Sequence, residues 1–159
     1  MTAWADFHSE LEHSSSARWL CYSHPMSIPF ASPEWVAAFK DAINASTAYR
    51  EAAKDWEGDF WFIVEPEAGQ PRKLMYLDLW HGECRAAFLA QDESERSPEF
   101  RIAAPARNWR RVIAREIDPI RAILTNQLKL KGNLAKIMRS VRAAQELVLC
   151  AASVPTRFD

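Results

Sequence analysis

Gln127-Leu-Lys-Leu-Lys-Gly-Asn-Leu134 is the stretch that decides the fold class of this 159-residue chain. Leucine and lysine alternate over residues 128–131, and a period of two predicts a short strand with one apolar face. Gly132-Asn133 predicts a turn. Apolar residues then recur at helical spacing to about Cys150, which predicts a final amphipathic helix.

Four more strands are expected upstream, because aromatic and β-branched residues are concentrated between polar loops there. Their predicted ranges are 59–65, 74–80, 85–91 and 99–104. The short loops between successive strands predict an antiparallel meander. With the strand at 128–131, the result is a five-stranded, mainly antiparallel sheet.

Helical spacing predicts the remaining elements. Ser32 is a candidate N-cap ahead of Pro33, and the apolar series that starts there continues to about Trp56, before Gly58. Two helices separated by Pro119 follow the fourth strand, and the last helix covers about 134–150. The predicted fold class is therefore α+β, with helices covering one face of the sheet.

The alternation also predicts the inner face of the sheet. In the second strand Asp78 belongs to the same set as Tyr76 and Trp80, so that set faces outward. The predicted inner residues are apolar: Phe60, Phe62, Leu77, Leu79, Phe88, Phe100, Ile102, Leu128 and Leu130. The outer set, with Trp61 and Ile63, is too apolar to be left in water.

Residues 1–31 are predicted to form an N-terminal extension docked on a domain that spans residues 32–152. The extension contains aromatic residues such as Trp4, Phe7 and Trp19, which a disordered tail would lack. A short helix is expected near residues 3–13. The extension is the favoured cover for the outer face of the sheet, and a homodimer interface is the competing interpretation.

Charge is distributed unevenly. The net charge is −1, yet residues 101–142 contain eleven Lys or Arg and two acids, a balance of +9 that leaves −10 elsewhere. Such a segment favours an anionic partner, which is membrane headgroups, a phosphorylated ligand or nucleic acid. Arg110, Arg111 and Arg115 are the candidates for contact with headgroups or an anionic membrane. Solvated helix faces and internal ion pairs are the plainer interpretation. Nucleic-acid binding is not favoured, because no motif interleaves the basic residues with aromatics.

Motifs for catalysis, metals and cofactors are lacking, so we expect a non-catalytic protein that binds neither a metal ion nor a cofactor. Cys21, Cys84 and Cys150 are too far apart for a disulfide framework or a zinc site, and each is expected to be a small buried residue. His81 and Asp78 are the weak acid–base candidates. No signal peptide and no membrane-spanning run is apparent, which predicts a cytoplasmic location.

The opening stretch, continued into Ile137-Met138, resembles the C-terminal signature of the sterol-carrier, or non-specific lipid-transfer, family. The order of elements agrees over residues 32–150, although Gln127 stands where the family usually has glycine. The resemblance implies that sheet and helices enclose an apolar tunnel for a sterol, fatty acid, acyl-CoA or phospholipid. The residues implied to line or close it are Phe62, Leu77, Leu79, Phe88, Ile102, Ile123, Leu124, Leu128, Leu130, Leu134, Ile137, Met138 and Val141.

Composition does not distinguish a hollow core from a filled one, so two functions stay open. The first is non-catalytic binding, with or without transfer, of a hydrophobic ligand. The second is an accessory or scaffold module in lipid or quinone metabolism whose cavity is closed. An enzyme acting on an acyl substrate through His81 and Asp78 is the least favoured interpretation.

Overall fold

The computed structural model of the protein describes residues 27–158, in which helices pack against one face of a β-sheet. A single-turn 3₁₀ helix, Glu93–Glu95, lies in the loop before β5. The strands and helices, in chain order, are β1 (Ile28–Pro29), α1 (Pro33–Ala45), α2 (Thr47–Ala52), β2 (Glu57–Glu65), β3 (Lys73–Trp80), β4 (Glu83–Ala90), β5 (Phe100–Pro105), α3 (Ala106–Ile113), α4 (Pro119–Leu124), β6 (Lys129–Lys131), α5 (Leu134–Met138), α6 (Val141–Ala152) and β7 (Thr156–Arg157).

The main sheet has five strands in the order β4-β3-β2-β5-β6, which confirms the predicted α+β class. Three of its four strand pairings are antiparallel, but β2 and β5 are parallel, with Phe60 opposite Phe100. The predicted meander is therefore wrong at this connection. Three strand spacings amount to about 14 Å, and the loop 91–99 is long enough to cross that distance.

The predicted inner face is confirmed except at one position. A register shift between Asp78 and Leu79 leaves Arg85 as an extra residue in β4, so Ala86 rather than Arg85 lies opposite Asp78. Because a bulge of one residue reverses the alternation that follows it, Phe88 lies opposite Tyr76 on the outer face. The assignment of Phe88 to the inner face is wrong.

The inner face and the helices share one apolar core. All other predicted inner residues belong to it, with Leu130 partly buried at its border. Each of the helices α1–α6 contributes apolar residues to the same core. The helices thus cover one face of the sheet, as predicted.

Two predicted helices are each divided in the structure. Ser46 ends α1 and caps α2, accepting a hydrogen bond of 3.0 Å from the N–H of Tyr49. The final helix is likewise divided into α5 and α6 by the residues around Ser140. Ser32 caps α1 as predicted, whereas Gly58 lies within β2 rather than at a helix end.

Strands β1 and β7 form a small parallel pair that ties both ends of the described chain to the body. Ile28 lies opposite Thr156, and the hydroxyl of Thr156 accepts a 2.8 Å hydrogen bond from the indole N–H of Trp35. The helix expected near 3–13 and Cys21 lie outside the described residues. Within residues 27–158, no helix is long and apolar enough to cross a membrane.

Candidate functional site

An apolar cavity lies between the inner face of the sheet and the helices. The cavity measures about 110 Å³, and the empty space including the part open to solvent is about 900 Å³. Well-packed protein interiors contain few voids larger than one water molecule, whereas ligand pockets typically enclose 300–1,000 Å³. The cavity of about 110 Å³ is therefore a genuine void in the core, although it is smaller than a typical ligand pocket.

Six of the residues implied by the family resemblance border the cavity. Phe62, Leu79 and Ile102 do so from the sheet. The other three, which border it from the helical side and the segment before β6, are Ile123, Leu128 and Ile137. The two opposite walls that the resemblance implies are thus brought together.

The other seven implied residues do not border the cavity. Leu77 is fully buried in the core beside it, and Phe88 lies on the outer face. Leu130 and Val141 pack partly buried against the core. The remaining three are exposed on the helical side, with 59%, 38% and 41% of their surface accessible: Leu124, Leu134 and Met138.

Sequence reasoning missed three tryptophans in the cavity wall. The indole N–H of Trp35 donates to Thr156, and that of Trp109 donates to the carbonyl of Ile63 at 3.0 Å. Trp56 donates to a main-chain carbonyl two residues further on, at 3.1 Å. Because these donors are satisfied within the protein, the rings present apolar surface to the cavity. Helical spacing places Trp35 on the inner side, but spacing is the same for a cavity wall and for a packed core.

No charged side chain of residues 27–158 borders the cavity, and two polar ones do, Tyr49 and Ser140. Tyr49 is buried, and desolvation, followed by the nearby Cys84, raises the pKa of its hydroxyl above the usual range. The hydroxyl therefore stays protonated at neutral pH. The cavity is uncharged and has few groups with which to orient a polar ligand.

Helix α3 connects the cavity wall with the basic surface. Trp109 and Val112 are buried and border the cavity, whereas the predicted headgroup residues Arg110, Arg111 and Arg115 are exposed. Arg110 and Arg111 thus lie on the outer side of α3, whose inner side forms the wall, and Arg115 follows just after its end.

The contacts of these arginines leave their positive charge at the surface. The Arg110 guanidinium lies 5.7 Å from the ring centroid of Phe158. Arg111 donates to Gln127 at 2.7 Å and approaches the carboxylate of Glu116 at 3.7 Å. An exposed ion pair of this kind is worth at most about 1 kcal/mol, so both arginines stay accessible to an anion.

The acid–base candidates lie away from the cavity. The exposed ring of His81 contacts the carboxylate of Glu57 at 3.1 Å and the carbonyl of Lys54 at 2.7 Å. The hydrogen bond to Glu57 raises the histidine pKa. Asp78 accepts two hydrogen bonds of 3.1 Å from Arg85. Neither His81 nor Asp78 borders the cavity.

The described residues also offer no metal site, because within 27–158 no three His, Cys, Asp or Glu side chains lie close enough to hold an ion. Cys84 and Cys150 are buried and free. Burial raises the pKa of the Cys84 thiol to about 11 and raises that of Cys150 as well. Both thiols are therefore protonated at neutral pH, as expected of buried packing residues.

Comparison with known proteins gives a consistent result. The family model described as the SCP-2 sterol transfer family matches residues 39–145. A crystal structure of sterol carrier protein 2 is 36% identical, with 79% of this chain and 98% of that chain covered and a TM-score of 0.73. A conserved hypothetical protein from Thermus thermophilus, described as possibly a sterol carrier protein, is 33% identical, with 83% and 94% covered and a TM-score of 0.74.

A more distant likeness shows the fold alone. Sterol carrier protein 2 from Yarrowia lipolytica, in its apo form, is 15% identical, with 80% of this chain and 97% of that chain covered and a TM-score of 0.55. The search of curated proteins gave no match.

Proposed function

Because this chain belongs to the SCP-2 sterol transfer family, we propose that it binds a hydrophobic lipid in the cavity between sheet and helices and catalyses no reaction on it. The observation that carries the proposal is the cavity itself, which is apolar, uncharged and partly open. The ligand classes that fit such a wall are a fatty acid, an acyl-CoA, a sterol-like lipid or a phospholipid.

The energetics favour an aliphatic ligand. Removing a methylene from water stabilises the bound state by about 0.8 kcal/mol, so a fully buried sixteen-carbon chain contributes up to roughly 12 kcal/mol before the costs of binding. The wall needs no charged group for this, since burial of apolar surface is non-directional. Tyr49 and Ser140 supply hydrogen-bonding capacity for one polar end.

We further propose that the basic side of α3 contacts the headgroups of an anionic membrane from which the lipid is taken. Arg110, Arg111 and Arg115 are exposed, and α3 also forms part of the cavity wall. On α4, the exposed Leu124 directly follows the lining residue Ile123. Exposed cations together with an exposed leucine at the cavity wall favour contact with an anionic lipid–water interface.

Native mass spectrometry of the purified protein, with organic extraction, tests lipid binding first, and titration with a fluorescent fatty acid follows. Two adjacent variants provide the control. Ile123→Glu places a carboxylate on the cavity wall and is expected to abolish binding, whereas Leu124→Glu changes an exposed residue and leaves binding intact. Circular dichroism verifies that both variants are folded.

A protein that carries no lipid and binds none in the titration would overturn the proposal. That outcome favours the accessory module with a closed cavity. Equal loss of binding in the two folded variants would also contradict it, because only one of the two residues borders the cavity.

Liposome co-sedimentation at low salt tests membrane contact. Each basic residue near an anionic surface contributes about 1 kcal/mol, so reversing the charges of Arg110, Arg111 and Arg115 should weaken binding by at least roughly 100-fold. The matched control reverses three exposed charges elsewhere: Arg50, Lys54 and Lys129. Equal weakening in the two triple variants would show dependence on net charge rather than on α3. Unchanged binding in the α3 variant would remove that surface from the mechanism.

A further inference from the structure

The outer face of the sheet carries a second apolar cluster that the lipid-binding proposal does not use. This outer cluster consists of Trp61, Ile63, Leu74, Tyr76 and Ala103, whose exposed fractions lie between 1% and 6%. Phe88 packs against its edge, with its ring centroid 5.1 Å from that of Tyr76. One face of a sheet in contact with water would leave such side chains far more exposed.

The helices do not provide the cover. Within residues 27–158 the buried side chains of all six helices belong to the inner core, and the outer cluster contains sheet residues alone. The loop 91–99 contributes Arg96, whose guanidinium lies 5.6 Å from the ring of Tyr76 and 5.2 Å from that of Phe88. The other side chains of residues 91–97 are polar, and Pro98 does not belong to the outer cluster, so this loop adds no apolar side chain to it.

We propose that residues 1–26 of the same chain lie over the outer cluster and account for its low exposure. This segment precedes Ser27, where the described chain begins. Twenty-six extended residues reach up to roughly 85 Å, well beyond the width of a five-stranded sheet, about 20 Å. Residues 1–26 are therefore long enough to reach any part of the outer face.

The composition of the segment matches that surface. Its large apolar residues are numerous for a terminal segment: Trp4, Phe7, Leu11, Trp19, Leu20 and Tyr22. Burying one such side chain contributes about 1.5–3 kcal/mol, which offsets part of the entropy lost when the chain is ordered. An aromatic sheet face and an aromatic segment both gain from this contact.

Charge complementarity supports the same occupant. Residues 1–26 contain three acids, Asp6, Glu10 and Glu12, against one Arg, so their side chains sum to −2. One cation, Arg96, lies over the rings of Tyr76 and Phe88 and has no ion pair with any of residues 27–158. An acidic segment is therefore favoured on this face.

A nitroxide on the native Cys21 tests the proposal in the full chain. Cys84 and Cys150 are buried, so the reagent labels Cys21 in the folded protein. Methyl NMR spectra are recorded with the label oxidised and reduced. The methyl signals of Ile63, Leu74 and Ala103 are expected to lose most of their intensity, whereas those of Leu124 and Leu149 on the helical side are expected to keep it. Cys21→Ser treated with the same reagent should show no loss.

A second measurement excludes a partner copy. Isotope-labelled Cys21→Ser protein is mixed with unlabelled protein that carries the nitroxide, so any loss of intensity arises between molecules. The proposal is supported if the methyl signals lose intensity in the isotope-labelled protein that carries its own nitroxide and keep it in the mixture. Loss in the mixture, or no loss at Ile63 and Ala103 in either sample, overturns it. In the double variant Phe7→Asp, Trp19→Asp, labelled at Cys21, the methyl signals should recover their intensity. Its amide spectrum should remain that of a folded protein.

Discussion

Filling the cavity by one substitution should strengthen the fold and weaken lipid binding at the same time. Ala144 lies on α6 and borders the cavity, where it is partly buried. Ala144→Leu adds three carbon atoms to the wall at almost no cost in helix propensity. In a packed core the same addition would force neighbouring side chains apart, so its effect reports whether the space is empty.

The expected changes in stability and in affinity follow from the three added carbon groups and from the volume of the cavity. Three buried carbon groups contribute at most about 2.4 kcal/mol at ~0.8 kcal/mol each, and for a chain of this length that raises Tm by roughly 5–10 °C. A cavity of about 110 Å³ has room for them. The leucine occupies space that ligand methylenes would fill, so affinity for a fatty acid should fall by up to roughly 50-fold.

Urea unfolding of lipid-stripped protein and fluorescent fatty-acid titration provide the two readouts. Ala122→Leu is the packed control, since Ala122 is 0% exposed and does not border the cavity; it should destabilise by about 1–3 kcal/mol. Ala152→Leu changes the exposed end of α6 and should stay within about 0.5 kcal/mol. If Ala144→Leu destabilised as Ala122→Leu does and left binding unchanged, the reasoning from an empty cavity would be refuted.

Two further outcomes concern the turn between β3 and β4. A Cβ at Gly82, where φ is +81°, would lie 2.6 Å from the carbonyl oxygen of Arg50, so Gly82→Ala should destabilise by several kcal/mol in urea unfolding. Gly69→Ala, at a similar φ of +83° but with no atom within 4 Å, should cost only about 1 kcal/mol, and equal losses would contradict the contact. The hydrogen bond to Glu57 raises the pKa of His81 in the folded state, so its stabilising contribution is complete below the unfolded pKa and lost as pH rises through the folded one. Unfolding free energies of wild type and His81→Gln should therefore differ more in mildly acidic than in mildly alkaline buffer, and a constant difference would exclude the linkage.

The sequence predicts most strands and helices because their apolar periods are local. It does not predict the parallel pairing of β2 with β5. The loop 91–99 is short enough for a hairpin-like connection and long enough for a crossover, so its length favours neither. Pairing between distant strands is decided by which edges are left free once the helices are in place, and local alternation contains no such information.

The error at Phe88 has a similar origin. One extra residue at Arg85 moves every later side chain of β4 to the opposite face. The run Arg85-Ala-Ala-Phe-Leu-Ala90 is apolar at both parities, so the pattern indicates a strand without indicating the bulge. In β3, where Asp78 marks one face, the alternation was sufficient. The outward face of a strand can be predicted from sequence when a charged residue occupies one of its alternate positions.

Whether a cavity exists depends on how much volume the sheet and the helices leave between them. The residue types in the two walls do not predict that volume. Three tryptophans form rigid parts of the wall because their indole N–H groups are tied to the protein. Helix α6 presents alanines to the same space, with Ala144 and Ala151 bordering it. Large fixed rings opposite small side chains resist collapse. By the T4 lysozyme relation of about 24 cal/mol per Å³, an empty volume of about 110 Å³ costs this fold roughly 2.6 kcal/mol. An apolar ligand that fills the volume removes this cost, so the same walls that lower the stability of the free protein favour the bound one.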